Sequence, residues 1–295
     1  MILDSQTNKV YISEHTLWQY PRITQRVLNA LSANNVPYEL LKYTNDGWCR
    51  DYMPIQIEED KFVQYRYFPD YLNNDDERIY ITNPTRTLKE LGIKTQRTNI
   101  IIDGGNVIKC PDCIIMTKKV FKENKCPVND KALIKRLERL FGCDILFLPW
   151  DVKEKYGHAD GIVRYVGGDE VLMTNYWNID AKLADEMCES LSRRFTVHTL
   201  KYDVETPHRN NWAYINFLQT EQVILVPAFG KDEDAQALQQ ILGYFPNYEG
   251  RVFPVRVTGL VKDGGALNCI TWNIKKHELV CFFSVNKTIQ NLTFG

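Results

Sequence analysis

The sequence predicts an α/β fold: five ββαβ-type units in a pseudo-fivefold ring around a central active site. Three observations lead to it. The order strand, strand, helix, strand recurs along the 295-residue chain, with a period of about 54 residues. Chemistry-bearing polar residues keep one phase of that repeat: Asp51, Asn106, His158 with Asp160, Asn216 and Cys269 are separated by 55, 52, 58 and 53 residues. A βαβ-sized module explains the length of such a period but not the shared phase. The chain also opens on strand, helix, strand and closes on a lone hairpin strand, so its two ends are expected to complete the ring.

The elements follow from local pattern. Residues 10–13 read as a strand, and 20–34 as a helix with Ile23, Val27, Leu28 and Leu31 at helical spacing. A strand over 37–43 follows, then 46–53, 55–57 and 62–67 as a hairpin-like region whose charged turn is Glu58-Glu59-Asp60-Lys61. Residues 70–78 are polar and loop-like, 87–91 suit a turn or two of helix, and 94–98 a strand. The next unit has a hairpin of 100–108 with 113–117, a helix over 130–141 stopped by Gly142, and a strand over 144–148. The order recurs as 161–165 with 170–174, helix 180–193 and strand 196–200. It recurs again as 214–219 with 222–227, helix 233–242 and strand 252–257. No linker or low-complexity tract interrupts this order, so 1–295 reads as one domain.

Hydrophobic residues make up 44% of the chain and charged residues 25%, with a net charge of −1. That balance is globular and supplies no electrostatic basis for binding nucleic acid or an acidic membrane surface. No apolar run approaches the ~18 residues of a membrane span. The start, Met1-Ile2-Leu3-Asp4-Ser5-Gln6, lacks a basic region followed by an apolar one, so no secretory signal is expected, and the sequons at Asn286 and Asn291 carry no weight. The eight cysteines have no framework spacing, which points to free thiols in a reducing, cytoplasmic setting. Cys110-Pro111-Asp112-Cys113 lacks the second ligand pair of a zinc site and reads as two strands around a Pro-Asp turn. Homo-oligomerisation is left open.

The stretch Asp263-Gly264-Gly265-Ala266-Leu267-Asn268-Cys269-Ile270-Thr271-Trp272 places one cysteine after a tight glycine turn. With Gly157-His158-Ala159-Asp160 and Trp48-Cys49-Arg50-Asp51 it supplies a thiol, an imidazole and separate carboxylates, the parts for covalent chemistry on a cationic substrate. Each residue taken alone also has a structural role open to it. Asp51 can pair with Arg50, His158 and Asp160 can serve a turn, Asn216 can satisfy backbone groups, and Cys269 can be a small buried apolar residue. No GxGxxG leading into a helix, Walker lysine loop or HExxH is present.

Together these motifs resemble the agmatine deiminase and Porphyromonas-type peptidylarginine deiminase family. Trp48-Cys49-Arg50-Asp51-Tyr52-Met53-Pro54 resembles its Trp-x-Arg-Asp-x-x-Pro, Asp103-Gly104-Gly105-Asn106 its Glu/Asp-Gly-Gly-Asn, and Gly157-His158-Ala159-Asp160 its Gly-His-x-Asp. Tyr214-Ile215-Asn216 with Val226-Pro227-Ala228-Phe229-Gly230, and Gly264-Gly265 through Cys269-Ile270-Thr271, complete the set in register over about 10–273, leaving 274–295 as an extension. The resemblance implies the pentein, or α/β-propeller, fold. Ala266 and Asn268 stand where relatives carry glycine and histidine, and Trp272-Asn273 where Gln-Gln is common.

The resemblance implies a cysteine-dependent guanidine hydrolase that converts agmatine to N-carbamoylputrescine and ammonia. Asp51 and Asp160 would hold the guanidinium, Cys269 attack its carbon, and His158 serve as acid and then base, with no metal or organic cofactor. Trp48, Asn106, Asn216 and Gly265 are further positions expected to bind substrate, with Asn106 and Asn216 orienting backbone or substrate. Alternatives are deimination of arginine or peptidyl-arginine, which needs an arginine such as Arg66 or Arg209 near the site, and amidino transfer. A non-enzymatic binding protein on the same fold is disfavoured by the retained cysteine, histidine and aspartates.

Overall fold

The computed structural model describes residues 1–276. Most of the 274–295 extension, with His277, Cys281, Asn286 and Asn291, lies outside the described residues. In chain order, β1 (Lys9–Ser13) leads through α1 (Glu14–Gln19) and α2 (Pro21–Ala33) to β2 (Tyr38–Leu41). A single helical turn, α3 (Cys49–Tyr52), precedes β3 (Ile55–Glu58), β4 (Lys61–Arg66), α4 (Thr85–Glu90) and β5 (Thr95–Ile101). The next unit comprises β6 (Ile108–Lys109), β7 (Cys113–Thr117), α5 (Lys119–Glu123), α6 (Lys131–Phe141) and β8 (Asp144–Leu148). After it come β9 (Val163–Gly167), β10 (Glu170–Met173), α7 (Ala181–Ser192) and β11 (Thr196–Thr199). The chain then runs through β12 (Leu218–Gln219), β13 (Ile224–Ala228), α8 (Glu233–Tyr244), β14 (Val252–Arg256) and β15 (Thr271–Ile274).

These strands form five three-stranded sheets, ordered β3-β4-β5, β6-β7-β8, β9-β10-β11, β12-β13-β14 and β15-β1-β2. In each, an antiparallel pair, a hairpin in all but β15-β1, is joined to a third, parallel strand. A parallel neighbour needs a crossover, and the intervening helix provides it. The last sheet joins the two ends of the repeat: Lys9 lies opposite Ile274 and Ile12 opposite Thr271, while Val10–Ser13 pair with Tyr38–Leu41. The expected closure is therefore present.

Helix boundaries follow side-chain chemistry. The Asp130 carboxylate accepts from Leu133 N–H at 2.7 Å and starts α6, and Gly142 at φ 71° ends it. Such a cap contributes about 1 kcal/mol. Asp180 caps α7 in the same way through Leu183 N–H. The buried faces of α2 and α6 are the apolar stripes read from spacing, with Leu133, Leu137 and Leu140 inward on α6. The Pro-Asp turn also stands: Cys110 N–H donates to the Cys113 carbonyl, and no disulfide links any described cysteine.

Three strand expectations are corrected. Within 46–53 the chain forms the helical turn α3 and no strand, the 100–108 arm shortens to β6 behind a 3-10 turn at Gly104–Asn106, and 214–219 becomes a 3-10 turn at Asn211–Ile215 ahead of β12. These segments are buried almost throughout, so apolar residues occur without strand alternation and the two patterns look alike. The strand expected at 94–98 runs on to Ile101, and α1 and α5 are additional elements. The 3-10 turns are what the units present to one another. Gly104–Asn106 touches both α3 and the Ala159–Gly161 turn, which in turn touches Asn211–Ile215.

A buried ion group also ties distant units together. Asp4 meets Lys109 Nζ and Arg164 Nη1, each at 2.9 Å. Burial would raise the Asp4 carboxyl, yet Lys109, Arg50 and Arg164 hold it well below the usual range.

Candidate active site

Each predicted site residue sits on the short turn ahead of a unit's hairpin. Asp51 lies in α3, His158 caps the Ala159–Gly161 turn that contains Asp160, Asn216 follows Asn211–Ile215, and Cys269 precedes β15. The ring brings them together. The Cys269 sulfur lies 3.7 Å from Asp160 Oδ2 and 3.4 Å from Asn216 Oδ1, and His158 Nδ1 lies 3.6 Å from Asp51 Oδ1. Cys269 keeps 7% of its surface exposed, facing open space rather than apolar packing.

Two cavities meet at this thiol. The first, about 240 Å³, is lined by Asp46, Trp48, Asp51, Tyr71, Asp263 and Gly265 among others. The second, about 380 Å³, is lined by Asp151, Asp160, Ile162, Tyr176, Ile179 and Trp212 among others. Tyr156, His158, Gly264 and Cys269 line both. Neither contains an arginine, so Arg66 and Arg209 do not reach the site.

Backbone choices make this approach possible. Gly105 N–H donates to Asp51 Oδ1 at 2.9 Å. A Cβ there would stand 2.7 Å from Asp51 Oδ1, 2.8 Å from His158 Nδ1 and 3.3 Å from Asp160 Oδ1. Gly264, at φ 91°, lies against the Tyr156 ring, and a Cβ on Gly265 would fall 2.2 Å from the Trp48 ring. Arg50 does not pair with Asp51. Its guanidinium donates to the Asn268 carbonyl and to Asn273 Oδ1, and its N–H to the Cys269 carbonyl, so it braces the cysteine turn from behind.

Asn216 and Asn106 line neither cavity. Asn216 Oδ1 accepts from the N–H groups of Asn268 and Cys269, and its amide donates to the Asp160 carbonyl. Asn106 Oδ1 accepts from Thr117 N–H. Both therefore hold backbone in place. Asn268, the departure next to the cysteine, donates its amide to Asp160 Oδ2 at 2.7 Å.

Sequence reasoning missed the partner of His158. Asp103 Oδ2 lies 2.8 Å from His158 Nε2, so the ring is bracketed by two carboxylates. The signal lies in Asp103-Gly104-Gly105-Asn106, whose first residue, like its last, has a polar side chain beside the glycines. Glu123 and Lys119 of α5 lie behind Asp103, and Lys119, 1% exposed, donates to the Tyr156 carbonyl that precedes the histidine loop.

Burial and clustered carboxylates dominate the electrostatics of the site. Burial raises the Asp51 carboxyl to about 7, with Asp103 and Asp160 adding to the rise while His158 and Gly105 N–H oppose it. Burial likewise raises Asp103 to about 6 against the pull of Lys119. The Cys269 thiol is pushed well above its ordinary range, first by burial and then by Asp160 and Asp51. An arriving delocalised cation would neutralise those carboxylates and lower the thiol in the same event. What the arrangement can do chemically is attack a planar cation with sulfur while one imidazole moves protons.

Comparison with known proteins fits this geometry. The agmatine deiminase of Pseudomonas aeruginosa (strain LESB58) is 24% identical over 282 residues, spanning 77% of this chain and 74% of its own. The solved C. jejuni agmatine deiminase superposes with a TM-score of 0.75 over 94% of this chain and 96% of its own, at 16% identity. An amidinotransferase of the saxitoxin biosynthetic pathway from Microseira wollei superposes at 0.61 over 92% and 96%, at 11% identity. With the five sheets, these likenesses establish the pentein fold. Residues 4–274 match the Porphyromonas-type peptidyl-arginine deiminase family from one end of the ring to the other, and the chain belongs to that family.

Proposed function

We propose that the protein is a cysteine-dependent guanidine hydrolase whose substrate is agmatine, converted to N-carbamoylputrescine and ammonia. The observation that carries this reading is the meeting of the Cys269 thiol, the His158 ring and the Asp51 and Asp160 carboxylates at the junction of the two cavities. Asp51 and Asp160 hold the guanidinium by charge-assisted hydrogen bonds and fix its plane. With their charges neutralised, the Cys269 proton passes to His158 and the thiolate attacks the central carbon. The C–N bond breaks as His158 returns that proton to the departing nitrogen, leaving an S-linked thiouronium and ammonia. Water then attacks the same carbon, His158 takes its proton, and the C–S bond breaks to give the ureido product and restore the thiol. Asp103 keeps the imidazole oriented through Nε2.

Agmatine is favoured over arginine by the walls of the first cavity. An α-carboxylate finds no arginine there, and the lining cation, Lys155, lies 3.7 Å from Glu77; an alkyl chain finds Trp48 and Tyr71, and its terminal ammonium finds Asp46 and Asp263. Burial raises the Asp46 carboxyl to about 7, so an ammonium beside it favours the charged form. The test incubates the protein with agmatine, free arginine and an arginine peptide and measures ureido product and ammonia. Agmatine turnover with equal amounts of both products, abolished by Cys269→Ala, is the expected result. Ureido product from arginine alone would overturn the substrate, and no product from any of the three would overturn the hydrolase. Consumption of agmatine without ammonia would indicate amidino transfer.

A further inference from the structure

The first cavity accommodates the substrate chain, and ammonia is a small leaving group. The second cavity, larger than the first, is then left without an occupant. At about 380 Å³ it is in the size range of small-ligand pockets. It reaches the same sulfur from the other side: Asp51 lines only the first cavity and Asp160 only the second, while His158 and Cys269 line both. A guanidinium held between those two carboxylates therefore lies across the boundary. One of its nitrogens faces the first cavity and carries the chain; another faces the second.

The walls of that second space suit a short carbon chain. Ile162, Ile179, Val261 and Trp212 give it apolar surface; of its polar lining, Asp151 Oδ2 and the Tyr176 hydroxyl are joined at 3.1 Å, the Glu154 carboxylate accepts from Gly157 N–H, and Lys153 also lines it. His158 stands at the boundary, where the proton for a departing nitrogen is needed.

We propose that the second cavity is a leaving-amine subsite, and that the enzyme cleaves N,N′-disubstituted guanidines with release of a primary alkylamine in place of ammonia. This rests on the hydrolase reading above and extends it to a second class of substrate. Sulfur bonds to the guanidinium carbon, the bond from that carbon to the alkylated nitrogen breaks, and the thiol proton carried by His158 goes to that nitrogen. The enzyme-bound intermediate is the same as the one from agmatine. Water then gives the same ureido product, and no oxidant or reductant is involved.

The experiment compares agmatine with N-propyl-N′-(4-aminobutyl)guanidine, measuring propylamine, ammonia and ureido product by chromatography. The expected result is propylamine and N-carbamoylputrescine in equal amounts, at a rate within about tenfold of agmatine turnover. Ile179→Trp alters a half-exposed residue at the second cavity alone. It is expected to lower turnover of the propyl compound by about tenfold or more and to leave agmatine turnover within about twofold. Agmatine turnover by the wild type with no reaction of the propyl compound overturns the subsite and leaves the hydrolase standing. So does release of ammonia with an N-propyl ureido product, because the propyl group then sits elsewhere. Absence of agmatine turnover in the wild type overturns the hydrolase reading and this one with it. The identity of the amine released by the wild type decides the question without the variant.

Discussion

Gly105→Ala tests the geometry of the site with one added methyl group. The new Cβ would stand 2.7 Å from Asp51 Oδ1 and 2.8 Å from His158 Nδ1, where ordinary contact begins at 3.4 Å, so both groups must retreat by about 0.6–0.7 Å. Neither is free to do so. Asp51 is held at 2.9 Å by Gly105 N–H itself, and His158 at 2.8 Å by Asp103. A misplacement approaching 1 Å in a positioned catalytic group costs on the order of 100-fold in rate, or about 2.7 kcal/mol of transition-state stabilisation. Overpacking adds a stability cost of about 1–3 kcal/mol. The assay is kcat/KM for agmatine beside thermal unfolding by circular dichroism. Gly243→Ala is the control, since its Cβ meets nothing within 4 Å. The expected result is a folded Gly105→Ala protein with kcat/KM reduced about 100-fold and an unimpaired Gly243→Ala protein. A Gly105→Ala enzyme within about threefold of wild type would refute the claim that this glycine sets the spacing of Asp51 and His158.

Three further outcomes are expected. Asp160→Asn removes a negative charge 3.7 Å from the sulfur, so Cys269 should alkylate with iodoacetamide faster at pH 8, as located by peptide mass spectrometry, while agmatine turnover is lost. A merely structural Asp160 would leave the alkylation rate unchanged. The folded-state pKa of Asp51 is raised from 3.8 to about 7, so the native protein holds that proton more tightly than the unfolded chain does. The unliganded protein should therefore lose stability as pH rises from about 4 to about 7. Asp51→Asn should make that fall shallower and raise Tm at pH 8, and an identical Tm profile for the two proteins would count against a buried, protonated carboxyl. Asp4→Ala leaves Lys109 and Arg164 buried without their shared anion and should cost about 3 kcal/mol in urea unfolding. A loss below about 1 kcal/mol would mean that solvent reaches the cluster.

The ring was legible because its period and its chemistry coincide. Asp51, His158, Asp160 and Cys269 stand out by residue type, and their common phase predicts their convergence without any contact being known. Secondary structure was least legible at those same positions. The turns at Gly104–Asn106 and Asn211–Ile215 are buried by neighbouring units, so their apolar residues record the ring's interior rather than a strand face. Asp103 was hidden for a different reason. A carboxylate beside two glycines reads as a turn residue, and only the third dimension sets it against His158. Asn106 and Asn216 illustrate the converse. Of the two roles open to these in-phase side chains, orienting backbone or substrate, the partners fit the first: backbone groups of the turns, with the Cys269 sulfur also beside Asn216. The paired cavities had no signal in sequence, since Trp212, Ile179 and Val261 look like ordinary apolar residues until the sheets are assembled.

The pairing of β15 with β1 gives the protein an order of assembly. Residue 274 lies opposite residue 9, so the turn bearing Cys269 gains its β1 platform only once the segments of the four intervening sheets have been made. Until then the carboxylates and the imidazole belong to a nascent chain without the proposed nucleophile, and the thiol arrives with the segment that seals the ring. Assembly of the proposed site thus waits for the segment that closes the ring. A chain interrupted before residue 269 carries Asp51, His158 and Asp160 without the thiol that the proposed reaction needs.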